Sequence, residues 1–167
     1  MFFKFIKNKK KYIFFSFLIL IIFYRSPFIL IEGRFMAEEG TILFRHAFLN
    51  VNLSTLFYLS DVSGYINIWL NVSTIFSNIV PLKYAPLVSV YLAFILLIYI
   101  FFYILFSTSH LLLDFKIKCV ACSIVLFSPI MTAEVWLSPL NSMSYFGILT
   151  FLILFDKNHH TIFKKIN

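Results

Sequence analysis

Glu38 and Glu39 stand side by side in the stretch Glu32-Gly-Arg-Phe-Met-Ala-Glu-Glu-Gly40, within a 167-residue chain that has only 7 Asp and Glu altogether. A carboxylate in such a place has two chemical uses. It can act as a general base on a sugar or lipid hydroxyl, or it can hold a divalent cation beside a phosphate. Arg34 and Arg45 lie close in sequence and suit a phosphate oxygen through charge-assisted hydrogen bonds. A plainer account of the pair is that both acids begin a helix, where they meet the positive end of its dipole. A third acid, Glu134, lies in Thr-Ala-Glu-Val-Trp-Leu-Ser-Pro-Leu-Asn141, beside Trp136, an aromatic suited to a membrane interface. It is either a further member of the site or a solvated loop residue.

The other reactive side chains read as structural. His46 falls on a helix face, and His159-His160 sit in a basic tail. Cys119 and Cys122 form a lone Cys-x-x-Cys within an apolar run. A structural metal site needs about four ligands and no second pair exists, so these thiols read as small hydrophobes and no metal ligand is assigned. Asn52-Leu-Ser and Asn71-Val-Ser match the glycosylation sequon, a pattern common by chance.

Composition says what kind of elements must hold these residues. The chain is 61% hydrophobic, 20% aromatic and 13% charged; soluble chains are about 45–50% apolar and about 25% charged. The 23 Phe exclude disorder, and with 4 Gly and 5 Pro the chain is neither collagen-like nor a flexible linker. A net charge of +7 would point to nucleic acid in a soluble protein. Here the basic residues flank apolar runs and no nucleic-acid-reading motif accompanies them, so no nucleic-acid partner is expected. The expected fold is all-α: a polytopic membrane protein of about four transmembrane helices, with the lipid bilayer as its first partner.

A span needs about 20 apolar residues. One membrane domain is expected over 1–167: a basic head (1–11), a first span (12–31), an outside loop (32–85), three further spans (86–107, 117–131, 141–155) and a tail (156–167). Arg25 interrupts the first span near its end, where a long side chain can snorkel. No small-residue cleavage site follows Phe23, so the segment reads as an uncleaved signal anchor. With the N-terminus inside, ten of the fourteen basic residues face the cytoplasm and five of the seven acids face outward, which puts both termini inside. The outside loop reads as two helices. One covers 38–49, with Ile42, His46 and Leu49 on one side; the other covers 66–80, with a stripe of Trp69, Val72, Phe76 and Val80, closed by Pro81. Such helices lie on the bilayer surface or cover the bundle.

Taken in order, these features resemble the N-terminal part of the C-type integral-membrane glycosyltransferases, which use polyprenyl-phosphate-linked sugars, and are similar to a group of bacterial cell-envelope membrane proteins. The resembling pieces are the basic-headed first span and Ala37-Glu38-Glu39-Gly40 before a surface helix. Gly64-Tyr65-Ile66-Asn67 then opens the second helix, Lys83-Tyr84-Ala85-Pro86 enters the second span, and Ser128-Pro129 and Glu134-Val135 precede Asn141. The likeness covers about residues 14–155, on short motifs. It implies a partial C-type fold in which an acid of the first outside loop, Glu38 or Glu39, is the catalytic base or metal contact. Glu134 would be its partner, and Tyr65 and Asn141 would join Arg34 and Arg45 as substrate contacts. Members of that superfamily usually have many more spans, so the resemblance also implies a truncated or split chain with a C-terminal partner polypeptide.

The function expected is that of a glycosyltransferase-like membrane protein of envelope polysaccharide or glycolipid assembly. It would lie in the inner membrane, take sugar from a polyprenyl-phosphate donor, and work whole or persist as an inactive or split fragment. No cofactor is certain; a divalent cation is the one this chemistry would take. The alternative is a non-catalytic lipid-linked-sugar translocase or accessory subunit. Small four-span translocases generally have short loops, and the roughly 50-residue outside loop argues against that alternative.

Overall fold

The computed structural model of the chain describes residues 2–36, 38–50, 52–60, 64–107, 109, 112, 114–127 and 136–154. All regular structure among these residues is helical, with no strand. The main helices are α1 (Phe2–Arg25), α2 (Pro27–Glu32), α3 (Arg45–Leu49), α4 (Ile68–Ser77), α5 (Ala85–Phe106), α6 (Phe115–Phe127) and α7 (Ser142–Leu154). A π-helical turn, Glu39–Phe44, runs into α3, and short 3-10 turns cover Leu53–Phe57 and Pro139–Asn141. The chain divides into two compact units. The first takes residues 1–25, 97–128 and 145–167; the second takes 26–96 and 129–144.

The first unit is an apolar helix packing whose directions can be read from its ring contacts. Tyr12 meets Phe106 at 5.0 Å between ring centroids and Phe15 meets Phe102 at 6.2 Å, so α1 and the C-terminal half of α5 run antiparallel. Phe14 meets Phe115 at 6.1 Å and Arg25 bonds the carbonyl of Leu126 at 2.8 Å, so α6 runs parallel to α1. Among the described residues, α5 is the one helix long and apolar enough to cross a membrane, with 22 residues and a mean hydropathy of 2.6. The described parts of α6 and α7 have 13 residues each. That is about 20 Å at 1.5 Å per residue, against a hydrocarbon core of about 30 Å. Cys119 and Cys122 lie on α6 as free thiols, the first half-buried and the second buried.

Helicity from the first expected span stops at Arg25 and resumes as α2. The cause is Pro27, which lacks an N–H and disfavours helical geometry at the residue before it; Ser26 accordingly sits at φ −148°. In the second unit α2 ends at Gly33, whose φ is +68°. A Cβ there would lie 2.6 Å from Leu87 N and 2.8 Å from Pro86 C, so the first turn of α5 approaches this backbone as closely as a glycine permits.

In both loop helices the stripes read from the periodicity lie on the outer or half-covered side. The Glu39–Leu49 stretch buries Glu39, Leu43, Phe44 and Ala47, while Ile42 and His46 are half-buried and Leu49 is exposed. α4 buries Leu70, Asn71, Ser73, Thr74 and Ser77 together with its N-cap Asn67, and its Trp69–Val72–Phe76 side faces outward or lies half-covered. Burial of the polar side is tolerated because Asn67, Asn71, Ser73 and Thr74 find hydrogen-bond partners within the unit, while Ser77 Oγ has none.

Candidate functional site

Of the two described acids proposed from sequence, Glu38 and Glu39, the fold encloses Glu39. It is the first residue of the π-helical turn and has no solvent exposure. Its side chain reaches back to accept from Met36 N at 3.2 Å, while its own N–H donates to Met36 O at 2.8 Å. This reciprocal pair satisfies free backbone groups at a helix start, as a capping box does. Gly40 follows because a Cβ there would come within 2.9 Å of Phe35 Cβ. Phe35 in turn packs on Phe44, with ring centroids 4.6 Å apart.

Two hydroxyls from distant parts of the chain complete the shell. Ser89, on α5, donates to Oε1 of Glu39, and Ser138 donates to Oε2 at 3.3 Å. Behind Ser89, Ser73 of α4 donates to its oxygen at 3.0 Å. These three serines are buried. Ser138 is held by neighbours of its own. Its oxygen accepts from Leu140 N at 3.2 Å, and the preceding Leu137 takes the left-handed region at φ 54°, an unfavourable geometry that packing must hold in place.

Asn67 fixes this turn to α4. It caps the helix by accepting from Leu70 N at 3.1 Å and donates to the carbonyls of Pro139 and Leu140 at 3.4 Å each; Ser142 donates to its oxygen at 2.8 Å. Asn71 donates to the carbonyls of Leu56 and Tyr58, 3.0 Å each, and is buried, which removes it as a glycosylation acceptor in the folded chain.

The electrostatics follow from this geometry. Burial pushes the Glu39 carboxyl up to about 7 from its ordinary value of 4.5, against the opposing pull of the bonds from Ser89, Met36 and Ser138. No charged side chain is among the groups that shift it.

The remaining candidates are dispersed. Glu38 is half-buried beside Glu39, Arg34 and Arg45 are exposed, Tyr65 is exposed, and Asn141 is half-buried, with its N–H on Ser138 O at 3.1 Å. None of the bonds to Glu39 comes from an arginine. Glu134 lies outside the described residues. His46 stacks on Tyr58 with 3.6 Å between ring centroids, and its Nδ1 is buried without a hydrogen-bond partner.

A divalent cation fits Glu39 poorly, because both of its oxygens already take N–H or O–H donors. Among the described residues no three His, Cys, Asp or Glu side chains gather into a metal-holding group. Sequence reasoning missed the serines and Asn67. The available signal was the spacing of Asn67, Asn71, Thr74 and Ser77, which repeats every three or four residues and marks a polar face as clearly as an apolar one. No protein-family model matches the chain, and neither a curated protein nor a solved structure is significantly similar to it.

Proposed function

We propose that this chain is a multi-pass, glycosyltransferase-like protein of the inner membrane, with both termini cytoplasmic, whose outside layer acts on sugar carried by a polyprenyl phosphate. The membrane part is supported by the length and apolarity of α5 and by the alternating directions of α1, α5 and α6. It is also supported by large apolar side chains left uncovered on these helices, including Ile13, Phe17, Leu20, Phe102 and Ile124.

One observation carries the catalytic part: Glu39 is fully buried with Ser89, Ser138 and Met36 N on its carboxylate, and this burial pushes its carboxyl up to about 7. A general base works best when its pKa lies near the operating pH. In the transfer, the acceptor oxygen bonds to the anomeric carbon and the bond from that carbon to the donor's phosphate oxygen breaks. The acceptor's proton passes to Glu39. Ser138, the longest of the contacts to the carboxylate at 3.3 Å, is the one an acceptor hydroxyl would replace. Arg34 and Arg45, exposed on the same segment, have the chemistry to hold the departing phosphate.

A second reading is favoured by the full burial of Glu39. In it the chain is a non-catalytic translocase or accessory subunit, and the carboxyl takes up and releases a proton without touching substrate. Replacing the base separates the two. Glu39→Gln keeps the shape and an acceptor oxygen but cannot take a proton. In cells that depend on this chain, together with any C-terminal partner polypeptide, the envelope glycan should then form about 10²–10⁴-fold more slowly. Glycan formed at the normal rate removes the catalytic reading.

A further inference from the structure

α4 is polar inside and apolar outside. Four of its five buried residues are Asn71, Ser73, Thr74 and Ser77, the fifth is Leu70, and its N-cap Asn67 is buried as well. On the opposite side Ile68 and Phe76 are 56% and 50% exposed, and Ile79 and Leu82, in the next turn of the chain, are 73% and 65% exposed. At 100° per residue Ile68, Val72, Phe76 and Ile79 fall on one stripe. The orientation is pinned. Asn71 is tied to two backbone carbonyls and Ser73 to Ser89, so the helix cannot roll its apolar side inward without breaking these bonds. In water this arrangement has the wrong sign, because the hydrophobic effect favours the reverse.

The next segment of the chain indicates the cover for this stripe. Ser77 ends α4 and Ala85 begins α5, the apolar helix of membrane-crossing length. The link is tightly folded, with Tyr84 N on Pro81 O at 2.8 Å and Ile79 N on Phe76 O at 3.1 Å. It ends in exposed Lys83 and Tyr84, residue types that settle at the headgroup level of a bilayer. The uncovered apolar surface then continues along α5 through Tyr91 and Ile95. Wherever α5 enters lipid, the α4 stripe is only a few residues away.

We infer that the stripe Ile68–Val72–Phe76–Ile79, continued by Leu82, is a lipid-contacting surface seated in the outer boundary of the bilayer, with Lys83 and Tyr84 among the headgroup phosphates. An amphipathic helix of this kind buries its apolar face about 5–10 Å into the headgroup–acyl boundary. The placement rests on the proposal that α5 spans the membrane. It brings the Glu39 layer to the depth where a polyprenyl phosphate presents its sugar.

The test uses the full chain carrying Cys119→Ala and Cys122→Ala, in vesicles of phosphatidylcholine and phosphatidylglycerol. Nitroxides are attached singly at Phe76→Cys, Ile79→Cys and Ile95→Cys. At all three, collisions with oxygen, which concentrates in lipid, should exceed collisions with a water-soluble nickel chelate several-fold. If Ile95 behaves so while Phe76 and Ile79 collide mainly with nickel, the stripe lies in water and the inference fails while the span stands. If Phe76 and Ile79 are shielded from both reagents, protein covers the stripe, for instance a second copy of the chain, and the inference fails as well. Nickel access at Ile95 overturns the span and the inference together. A second measurement leaves the cysteines in place. In a Trp136→Phe chain, Trp69 fluorescence should be quenched several-fold more by lipids brominated near the headgroup than by lipids brominated at the chain ends. Absence of quenching by either overturns the inference.

Discussion

The two units treat polar groups in opposite ways. In the first, two cationic side chains, Arg25 and Lys118, bond the backbone at helix ends. Arg25 donates to Leu126 O at the C-terminus of α6, and Lys118 donates to Leu105 O at 3.0 Å and to Ser107 O at the C-terminus of α5. Each satisfies carbonyls that a helix leaves without partners and places a cation at the negative end of its dipole. In the second unit a set of uncharged polar side chains and one carboxyl are inside. Ser89 and Ser138 bond Glu39, and Ser73 stands behind Ser89. Asn67 and Asn71 are buried on backbone carbonyls, and no cation among the described residues offsets the Glu39 charge. A buried carboxyl without an ionic partner resists ionisation, which is why its titration moves toward neutrality. The first arrangement satisfies helix ends, whereas the second holds an acid whose burial disfavours its charged form.

The comparison breaks most sharply at Gly33. Gly33→Ala would place a Cβ against the backbone of Pro86 and Leu87 and force a left-handed φ on alanine. The conformation alone costs about 1–2 kcal/mol, and displacing helix backbone adds to it. Trp69 and Trp136, the only two tryptophans, both belong to the second unit, so their fluorescence reports that unit alone. The expected result is a tryptophan transition shifted to much lower denaturant while most far-ultraviolet helical signal persists. If both signals fall together, the two units unfold as one.

The next largest effect is a pH dependence confined to the second unit. Glu39 has a folded-state pKa of about 7 against 4.5 in the open chain, so the folded state holds its proton more tightly. Stability from this group is fully present below about pH 4.5 and is lost as pH rises through about 7. At about 1.36 kcal/mol per pH unit the loss approaches about 3 kcal/mol. Glu39→Gln should abolish the slope and leave the second unit more stable than the native chain at pH 8, by denaturant titration followed through tryptophan. A variant that is more stable and also inactive separates the cost of the site from its use. Equal pH slopes in the two chains would show that Glu39 carries no such penalty.

Much of this was legible in the sequence, for identifiable reasons. Helicity throughout and the limits of α5, expected at 86–107 and found at Ala85–Phe106, follow from a long uncharged run whose ends are set by Lys83 and the polar Ser107. The Glu38–Glu39 pair could be singled out because acids are scarce here. Which of the two is buried could not, since adjacent helical residues differ by about 100° and only packing chooses between them. The shell was out of reach for another reason. Ser89 and Ser138 stand 50 and 99 residues from Glu39, and each reads locally as a small residue in an apolar or loop setting. The apolar stripe of α4 could be read from its period, but the polar face opposite, which carries the same period, was passed over although it is the side the fold buries.

The smallest effect is expected in the first unit, at Lys118. Read from sequence alone, this lysine is one of ten basic residues expected to face the cytoplasm. In the fold it is only 3% exposed, and its ammonium closes the C-terminus of α5. Lys118→Met keeps most of the stem's volume and removes the donor, leaving the carbonyls of Leu105 and Ser107 to find other partners. Unmet buried acceptors cost about 1–3 kcal/mol, and the lost helix-end charge is worth a few tenths more. The expected change is a lower midpoint in far-ultraviolet circular dichroism, with the tryptophan transition of the second unit unmoved. Lys118→Arg, which keeps a charged donor on a stem of similar reach, should recover part of the loss. If Lys118→Met instead shifts the tryptophan signal, then the end of α5 that this lysine closes also governs the half of the helix carrying Ser89, and the contrast between a structural unit and a functional one gives way to a single coupled fold.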